Sequence, residues 1–386
     1  MKVLYVLSST DPLGGATKAF LHILEGIINK GITPFVVTPD KSGIYQELSQ
    51  KGICVIPIRI RKSEIPPLLK TKDYVLFVPR LLYTLVVNLI AIIRMCMSIK
   101  SIHPDIVHTN VGPITIGYYA CRIMNVPHVW HIRENIKGIG ITPIPSFSYF
   151  SKCLKNKKNN CIAITKDIKS RYGLTDNTKV IYDGVLDETY SPCSLEKEDF
   201  FLYAGRLEEA KGIMDLLIAY NEYVNDNKYR NHLRLVVAGD TSNEDYKKSL
   251  IDFVSQNDLD DQVEFLGMRS DILELMSRAV ALIVPSHSEG FGYTVAEAMF
   301  SNCLVIGKNT SGIKEQFDNG LSLFGDEIGL RYETKEELVS ILSMVNESPD
   351  SYHSILERAS EAVNALYTNQ KNVTSVIDYY EKILCK

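Results

Sequence analysis

The sequence predicts an α/β fold made of two Rossmann-like domains, each built on a parallel β-sheet. Short apolar runs rich in β-branched residues alternate with helical patterns, which is typical of parallel strands joined by crossover helices. The alternation restarts near residue 190. The length of 386 residues exceeds what one typical hydrophobic core needs and suits two domains.

The first half of the chain carries the first alternation. Apolar runs end in glycine, aspartate or serine, or lead into a turn, at VLYVLSS, PFVVTP, DIVHTN, HVWHIRE, CIAIT and KVIYDGV. Helical patterns lie near residues 17–30 and 114–124. The opening MKVLYVLSST has too short an apolar run for a signal peptide and lacks a convincing cleavage site, so we interpret it as a buried first strand.

The second half repeats the pattern and ends in helices. Strands are predicted over residues 200–206, 233–240, 263–267, 281–286 and 303–307, and a helix begins near Tyr293. Three further helices are predicted after Thr334, over residues 336–345, 352–366 and 372–384. We therefore expect domains at residues 1–190 and 191–369, a linker near 191–199, and a C-terminal helix at 370–386 that returns to the first domain.

The net charge of −4 hides a division between the two halves. Residues 1–190 hold 24 Lys and Arg against 13 Asp and Glu, whereas residues 191–386 hold 18 against 33. A basic half and an acidic half indicate different partners. The eight cysteines show neither CxxC nor metal-ligand spacing, so we expect reduced, mostly buried thiols in a cytoplasmic protein.

Residues 51–100 form the most basic segment, with nine Lys and Arg against two acids. Its stretch 81–93 is almost wholly apolar but, at 13 residues, is shorter than the roughly 20 needed to span a bilayer. A helix here would have a narrow, mostly polar stripe formed by Arg80, Thr84, Asn88, Ala91 and Arg94. Another face of the helix would be apolar and formed by Leu81, Leu85, Leu89 and Ile92. Either an interfacial helix on an anionic membrane or a core helix fits this pattern.

Two glutamates around a glycine-rich turn form the strongest chemical motif, SEGFGYTVAEAM at residues 288–299. Gly290 and Gly292 let the backbone approach a ligand, and the helix that begins there favours phosphate through its dipole. Glu297, about one turn inside the helix, can accept hydrogen bonds from a diol such as ribose. Glu289 lies on the loop, from which it can reach a sugar.

A second motif, AGRLEEAKG at residues 204–212, supplies two cations. Arg206 ends a strand and Lys211 lies at the next helix start, so both belong to the carboxyl edge of the sheet, where open α/β sheets bind ligands. Paired cations suit a diphosphate leaving group, on which negative charge grows as the glycosidic bond breaks. Gly14-Gly15 after the first strand and His131 in HVWHIRE are weaker signals, since a plain turn and a structural histidine explain them as well.

Taken in order, these segments resemble glycosyltransferase family 4 (glycosyl transferases group 1), a retaining family with the GT-B fold used in bacterial surface polysaccharide assembly. GRLEEAKG and SEGFGYTVAEAM resemble its donor site, while Gly14-Gly15, His131 and IYDGV resemble its N-terminal half. The resemblance implies two domains facing a central cleft, the first binding the acceptor and the second the nucleotide sugar. Asp183 departs from the asparagine that is common in related sequences.

The resemblance also implies a role for each matching residue. In the second domain, Arg206 and Lys211 would bind the diphosphate and Glu297 the ribose, while the backbone near Arg269 would contact the base. The sugar would be bound by Glu289 and by the backbone of Gly290, Phe291 and Gly292. In the first domain, the diphosphate would pass Gly14 and Gly15, and His131 would contact the sugar.

Retention is implied by the family, and we expect front-side attack, in which the departing diphosphate takes the acceptor's proton. No cofactor is expected beyond the nucleotide-diphosphate sugar as co-substrate, and no metal. Asp258-Leu259-Asp260, the one Asp-x-Asp in the sequence, is expected to be a capped turn between a helix and a strand.

The expected partners are the nucleotide sugar, a glycan or lipid-linked acceptor, and an anionic membrane surface contacted by residues 59–100 at the inner face of the cell membrane; no nucleic-acid partner is expected. A nucleotide-sugar epimerase would share the architecture but would not explain the basic, apolar half. A dehydrogenase would need G-x-G-x-x-G after the first strand. A non-catalytic membrane-associated binding protein would not need the two cations and two glutamates together.

Overall fold

The computed structural model describes residues 1–12, 14–68, 71–138, 140–185, 195–225 and 232–385. The chain divides into two compact units: unit 1 comprises Met1–Gly184 with Asn369–Lys386, and unit 2 comprises Val185–Thr368. The predicted junction at residues 190 and 191, with the first part of the predicted linker, lies outside the described residues.

Each unit contains one parallel sheet. The seven-stranded sheet of unit 1 has the order β3-β2-β1-β4-β5-β6-β7, and the six-stranded sheet of unit 2 has the order β10-β9-β8-β11-β12-β13. The strands are β1 Lys2–Val6, β2 Thr33–Thr38, β3 Cys54–Pro57, β4 Ile106–Thr109, β5 His128–Ile132, β6 Asn159–Ala163, β7 Thr178–Val180, β8 Glu198–Ala204, β9 Arg234–Ala238, β10 Val263–Gly267, β11 Ala279–Val284, β12 Leu304–Lys308 and β13 Leu330–Tyr332.

Helices connect the strands and cover the sheets. They are α1 Gly15–Asn29, α2 Ile44–Gln50, α3 Thr71–Ile102, α4 Ile116–Met124, α5 Phe147–Leu154, α6 Lys166–Arg171, α7 Ile213–Val224, α8 Glu244–Gln256, α9 Ile272–Arg278, α10 Tyr293–Phe300, α11 Ser311–Phe324, α12 Lys335–Glu347, α13 His353–Leu366 and α14 Asn369–Leu384. The predicted α/β class with two parallel sheets is confirmed.

The sequence patterns missed the short elements at the sheet edges. Strands β3 and β13 were not predicted, and both are outermost in their sheets. An edge strand is covered less completely than a central one, so its sequence need not be a continuous apolar run. In β3 no residue is fully buried, whereas all five residues of the central strand β5 are.

Helix α14 completes the core of unit 1. Val376 and Tyr380 on α14 are fully buried in the same cluster as residues of α1 and β1. The two helices approach so closely that a Cβ on Gly26 of α1 would lie 2.3 Å from a methyl carbon of Val373. The hydroxyl of Tyr380 also lies 3.1 Å from that of Tyr5 on β1.

Helix α3 turns its polar stripe inward and its apolar residues outward. Thr84, Asn88 and Ala91 are buried. The side-chain oxygen of Asn88 accepts the Arg61 N–H at 3.0 Å, and its amide donates to Ser63 Oγ at 3.3 Å. Twelve large apolar side chains of the helix are each 40–76% exposed: Tyr74, Val75, Leu76, Val78, Leu82, Tyr83, Leu85, Val86, Leu89, Ile90, Ile93 and Met97.

These observations correct two expectations for residues 81–93. A core helix with its apolar face against the sheet is wrong for most of these side chains, because they lie on the exposed face. The apolar stretch also belongs to a helix of 32 residues that contains an 18-residue window of mean hydropathy 2.1. By length and composition alone, α3 is therefore long and apolar enough to cross a membrane, a test that core helices of soluble proteins and signal sequences also pass.

The orientation of α3 predicts a large effect on stability for one alanine substitution and almost none for the substitution next to it. Asn88→Ala leaves the Arg61 N–H without its acceptor and should lower the free energy of unfolding by about 1–3 kcal/mol. Leu89→Ala removes a side chain that is 60% exposed, so the change should stay within about 0.5 kcal/mol. Chemical denaturation of both variants measures this, and a larger loss for Leu89→Ala would contradict the orientation of the helix.

Candidate active site

The carboxyl edge of the sheet in unit 2 brings several loops together. Strands β8 and β11 are parallel neighbours, so the loops that follow them begin at the same edge. The loops after β8, β9 and β10 are pressed against each other: the Gly239 N–H donates to Gly267 O at 2.8 Å, and a Cβ on Gly239 would lie 1.8 Å from Gly205 O. Only glycine fits at position 239 without displacing the backbone of the β8 loop.

Lys211 and Glu289 form the centre of this edge. The Lys211 ammonium donates to Glu289 Oε1 at 2.6 Å, and their side chains are only 23% and 15% exposed. The Ser286 hydroxyl donates to the same carboxylate oxygen at 2.8 Å. Lys211, the residue predicted to bind the diphosphate, and Glu289, the residue predicted to bind the sugar, are thus direct neighbours, although 78 positions separate them in the chain.

A close backbone approach fixes the β8 loop against the β11 loop beside this pair. Gly212 has a φ of +68°, and a Cβ there would lie 2.2 Å from Pro285 O. The His287 N–H donates to Ala210 O at 3.1 Å. These contacts hold Lys211 in place independently of any ligand.

The glycine-rich turn is supported from behind by helix α11. Gly292 has a φ of +87° and precedes α10, a conformation that favours glycine. The Gln316 side-chain amide donates to Phe291 O at 2.6 Å and to Gly292 O at 3.0 Å. The Gly312 N–H donates to Glu289 O at 3.2 Å, and a Cβ on Gly312 would lie 2.6 Å from Phe291 O.

Our sequence reasoning missed this support from Gly312 and Gln316. Its signal was the segment NTSGIKEQ, one residue after the predicted strand CLVIG, because the start of the next helix must lie at the same sheet edge.

Phe291 and Glu297 contribute in different ways to the motif. The Phe291 ring is buried, with an edge-to-face contact to Tyr367 at 5.2 Å between centroids. Its side chain therefore anchors the turn between Gly290, which is half-buried, and Gly292, which is buried. Glu297 is the fifth residue of α10 and is half-buried, about one turn into the helix as predicted.

The two predicted arginines are held differently from Lys211. The Arg206 side chain is 70% exposed and pairs with Glu208 at 2.7 Å. Arg269 makes a two-pronged pair with Asp271, at 2.8 and 2.5 Å. The structure therefore does not fix either guanidinium against Glu289. Exposed pairs such as Arg206–Glu208 are weak, so an anionic ligand can replace Glu208 at little cost.

In unit 1, the predicted sugar-facing histidine is fully buried. His131 is the fourth residue of β5, and its Nδ1 lies 3.3 Å from Arg133 Nη2 and 3.2 Å from His108 Nε2. Because a guanidinium only donates, Nδ1 of His131 accepts, and the proton of the neutral ring lies on Nε2. That Nε2 is buried without a hydrogen-bond partner in the described protein. It is a donor suited to a ligand oxygen.

Both histidines of this cluster remain neutral near pH 7. Burial, together with the positive charge of Arg133, holds the pKa of His131 well below its ordinary value. The same two causes lower the pKa of His108, whose Nδ1 also contacts the Tyr380 hydroxyl. His131 is therefore positioned to donate a hydrogen bond rather than to carry charge.

A buried ion pair supports the histidine from the side. Arg133 Nη1 lies 2.5 Å from both carboxylate oxygens of Asp183, and both side chains are at most 4% exposed. Arg133 Nε donates to Asn110 Oδ1 at 3.0 Å, and Asn110 Nδ2 donates to Ala16 O at 3.0 Å.

Asp183 thus neutralises a buried guanidinium, which a neutral asparagine could not do. We expected this departure from the family pattern to matter little, and the structure shows that it has a partner. Arg133 was missed, although its spacing of two from His131 and the unusual acid at position 183 were visible signals.

The Gly14-Gly15 turn lies where it was predicted, directly before α1. Gly14 has an ordinary φ of −68°, so the backbone conformation there does not require glycine. A Cβ on Gly15 would meet nothing within 4 Å. That open space agrees with a ligand approaching the backbone, whereas the predicted passage of a diphosphate stays a prediction.

Asp258 and Asp260 lie between α8 and β10, in the predicted connection. Asp258 has a φ of +56°, and Asp260 accepts a hydrogen bond from the Ser255 hydroxyl at 2.8 Å. Both observations describe a turn. Within the described ranges, no three His, Cys, Asp or Glu side chains cluster in a way that could hold a metal ion.

Two α/β units, each built on a parallel sheet, agree with the GT-B fold, and similar solved structures have the same fold over their full length. The solved structure of HepE (Alr3699) from Anabaena in complex with UDP is similar to this chain with a TM-score of 0.77. The match has 18% identity and covers 99% of this chain and 100% of that one. The same protein has been solved with UDP-glucose.

Sequence comparison agrees with the fold. Residues 192–362 match the family Glycosyl transferases group 1. The N-acetyl-alpha-D-glucosaminyl L-malate synthase of Bacillus anthracis is 22% identical over 65% of this chain. The N-acetylgalactosamine-N,N'-diacetylbacillosaminyl-diphospho-undecaprenol 4-alpha-N-acetylgalactosaminyltransferase of Campylobacter jejuni is 24% identical over 55%. The chain covers 63% of the first relative and 55% of the second.

Residues 192–362 of the chain therefore match glycosyl transferases group 1, glycosyltransferase family 4, which is the family that the motifs predicted. This is a retaining family of glycosyltransferases.

The arrangement predicts that Lys211 and Glu297 are needed for catalysis but not for folding. Lys211→Ala and Glu297→Ala should each lower kcat/KM about 30- to 1000-fold, because each removes a charged contact worth about 2–4 kcal/mol in the transition state. Glu289 keeps the Ser286 hydroxyl as a partner in Lys211→Ala, so thermal melting should remain cooperative. Lys314→Ala, on the exposed side of α11, is the matched control and should keep normal kinetics. Near-normal activity in either site variant would contradict this assignment.

Proposed function

We propose that this protein is a retaining glycosyltransferase that moves a sugar from a nucleoside diphosphate sugar to a glycan or lipid-linked acceptor. The contact between Lys211 and Glu289 carries this proposal. In such a donor, the sugar is bonded directly to the diphosphate, so a cation for the diphosphate and a carboxylate for the sugar must be neighbours. The UDP and UDP-glucose complexes of HepE support the same class of donor.

The reaction proceeds by front-side attack. The bond between the anomeric carbon and the diphosphate oxygen breaks, and an acceptor oxygen forms its bond to that carbon on the same face. The acceptor's proton passes to the departing diphosphate. Lys211 and, after leaving Glu208, Arg206 stabilise the charge that grows on this leaving group.

The remaining site residues hold the donor. Glu297 accepts hydrogen bonds from the ribose hydroxyls. Glu289 accepts hydrogen bonds from the hydroxyls of the sugar, and the backbone N–H groups around Phe291 donate to its oxygens. His131 donates from Nε2 to an oxygen of the transferred sugar. Arg133 enforces this role, because its guanidinium occupies Nδ1 of His131 and keeps the proton on the other nitrogen.

Side-chain cations replace a metal ion in this mechanism. We expect one nucleotide sugar of a panel to raise the melting temperature by mass action and to be consumed in the presence of EDTA. Thermal shift followed by detection of the released nucleoside diphosphate measures both. Activity that is lost on chelation and restored by Mg²⁺ or Mn²⁺ would contradict the metal-free mechanism. Binding without consumption in the presence of acceptor extracts would favour a non-catalytic binding protein.

A lipid-linked acceptor requires the protein to reach a membrane surface. The printed name of the Campylobacter jejuni relative describes a lipid-linked, diphospho-undecaprenol acceptor. In this chain, the exposed apolar face of α3 runs from Tyr74 to Met97, about 35 Å at the helical rise. A continuous apolar surface of this size is unusual on a soluble monomer and marks an interaction site.

The charges around this face favour an anionic membrane as its partner. Residues 51–100 hold nine cations and two acids. The guanidinium carbons of Arg59 and Arg61 lie 5.7 and 5.6 Å from the centre of the Tyr83 ring on the exposed face. Arginine over an aromatic ring at the border of an apolar surface suits the boundary between lipid headgroups and acyl chains.

We infer that α3 lies along the inner face of the cell membrane rather than crossing it. Its buried side makes specific contacts with the rest of unit 1, through Asn88 to Arg61 and Ser63. A crossing helix would have to break these bonds and expose Asn88 and Thr84 to lipid, which is costly for unsatisfied polar groups. These contacts therefore favour a helix on the membrane surface, and we propose that this surface is the cytoplasmic one.

This placement predicts salt-sensitive binding to anionic vesicles. The protein should float with vesicles containing phosphatidylglycerol more than with neutral vesicles, and less as salt rises, because each cation near the surface contributes about 1 kcal/mol that is screened over roughly 8–10 Å. Leu85→Ser with Leu89→Ser should weaken flotation, because both side chains are exposed and would enter the lipid.

The control for flotation is Leu323→Ser, which changes a leucine of unit 2 that is 49% exposed. It should float like the unchanged protein. Equal recovery with neutral and anionic vesicles, or recovery with neither, would refute the membrane proposal and leave the transferase proposal intact.

A further inference from the structure

A basic cavity of about 460 Å³ lies under helix α3 at the end of strand β1. Its lining includes Ser8, which follows β1 at the carboxyl edge of the sheet, and Arg80 and Thr84 from α3. The segment after β3 supplies the rest of the polar lining, Arg61, Lys62 and Glu64. The cavity therefore opens at the sheet edge where α/β proteins bind ligands, beside the helix that we propose to lie on the membrane.

The charges of this cavity favour an anion. Three cations line it, Arg61, Lys62 and Arg80, against the single carboxylate of Glu64. Arg80 also pairs with the buried Asp73 at 2.7 Å. When Asp73 is counted with the lining, one positive charge remains unbalanced.

Two of the cations are held in position by the protein. Asn88 binds the backbone N–H of Arg61, and the guanidinium of Arg61 stacks over Tyr83. Asp73 fixes the guanidinium of Arg80 from the side. Guanidinium groups held in this way lose little entropy when they bind a phosphate with paired hydrogen bonds.

We propose that the basic cavity binds the phosphate or diphosphate group that joins the acceptor glycan to its lipid. The proposal rests on the proposed function, since it assumes a lipid-linked acceptor. The cavity borders the exposed apolar face of α3, because Arg61 lines the cavity while its guanidinium lies over the Tyr83 ring of that face. A lipid with its chain in the membrane can therefore extend its headgroup past α3 into the cavity, which places the glycan at the carboxyl edge of the sheet.

A purely structural role for the cations is the competing explanation. In that case, Glu64 and Asp73 would be their permanent partners, and removing a cation would affect stability but not any ligand. The two explanations differ in ligand binding, which can be measured without a donor and without a membrane.

The test titrates the full-length protein with three probes in calorimetry: farnesyl diphosphate below its critical micelle concentration, farnesol, and inorganic pyrophosphate. We expect farnesyl diphosphate to bind, farnesol not to bind, and pyrophosphate to bind more weakly than farnesyl diphosphate. Arg61→Gln and Lys62→Gln should each weaken farnesyl diphosphate binding about 10-fold or more, since each removes a charged hydrogen-bond donor.

Arg59→Gln is the matched control, because Arg59 stacks on the same Tyr83 ring but does not line the cavity. It should change the affinity less than about 2-fold, as expected for a rim charge. Unchanged affinity in Arg61→Gln and Lys62→Gln, or an equal loss in Arg59→Gln, would overturn the proposal. So would loss of binding in Lys211→Ala alone, which would place the anion in unit 2.

The remaining outcomes separate the ligand sources and the two proposals. Equal affinity for pyrophosphate and farnesyl diphosphate would overturn the lipid assignment in favour of a free phosphate anion. Arg61-dependent binding of farnesyl diphosphate in a protein that consumes no nucleotide sugar would refute the transferase proposal and support the proposal of an anion site in the cavity. If Arg61→Gln transfers sugar to a prenyl-diphosphate acceptor with a normal KM for that acceptor, the cavity proposal is refuted and the transferase proposal is not.

Discussion

Parallel strand pairing is the constraint that decides where the chemistry of this protein lies. Every neighbouring pair in the two sheets of the described chain runs parallel. Each strand therefore ends at the same edge as its neighbours, and the crossover helices return the chain to the opposite edge. Lys211 and Glu289 meet for this reason, and so do His131 and Arg133 with Asn110 in unit 1.

The two units treat charge differently at these edges. In unit 1, the Arg133–Asp183 pair is buried and neutral as a whole, so its main effect is to fix the tautomer and position of His131. In unit 2, the Lys211–Glu289 pair is partly accessible. A ligand anion can therefore replace Glu289 as the partner of Lys211, and a ligand donor can replace Lys211 as the partner of Glu289. One pair is a rigid support, whereas the other is the site at which we propose that a sugar diphosphate binds.

The sequence predicted features that depend on local pattern, and it failed where a feature depends on distant partners. The glycine-rich turn and the cations at strand ends were visible because glycine and strand boundaries are local signals. The periodicity of residues 81–93 showed which side chains share a face of α3, but only the fold shows that Thr84 and Asn88 face inward. Asp183 was noticed as unusual, yet its partner lies 50 positions away, which no local pattern can connect.

The packing of α14 on α1 has a consequence for the order in which the protein is made. Val376 and Tyr380 belong to the core of unit 1 but follow the whole of unit 2 in the chain. At about 5–20 residues per second, the ribosome needs roughly 10–40 s to translate unit 2. During that time, the surface of α1 around Gly26 and the hydroxyl of Tyr5 lack their native cover. The unit whose synthesis begins first is therefore the last to complete its core.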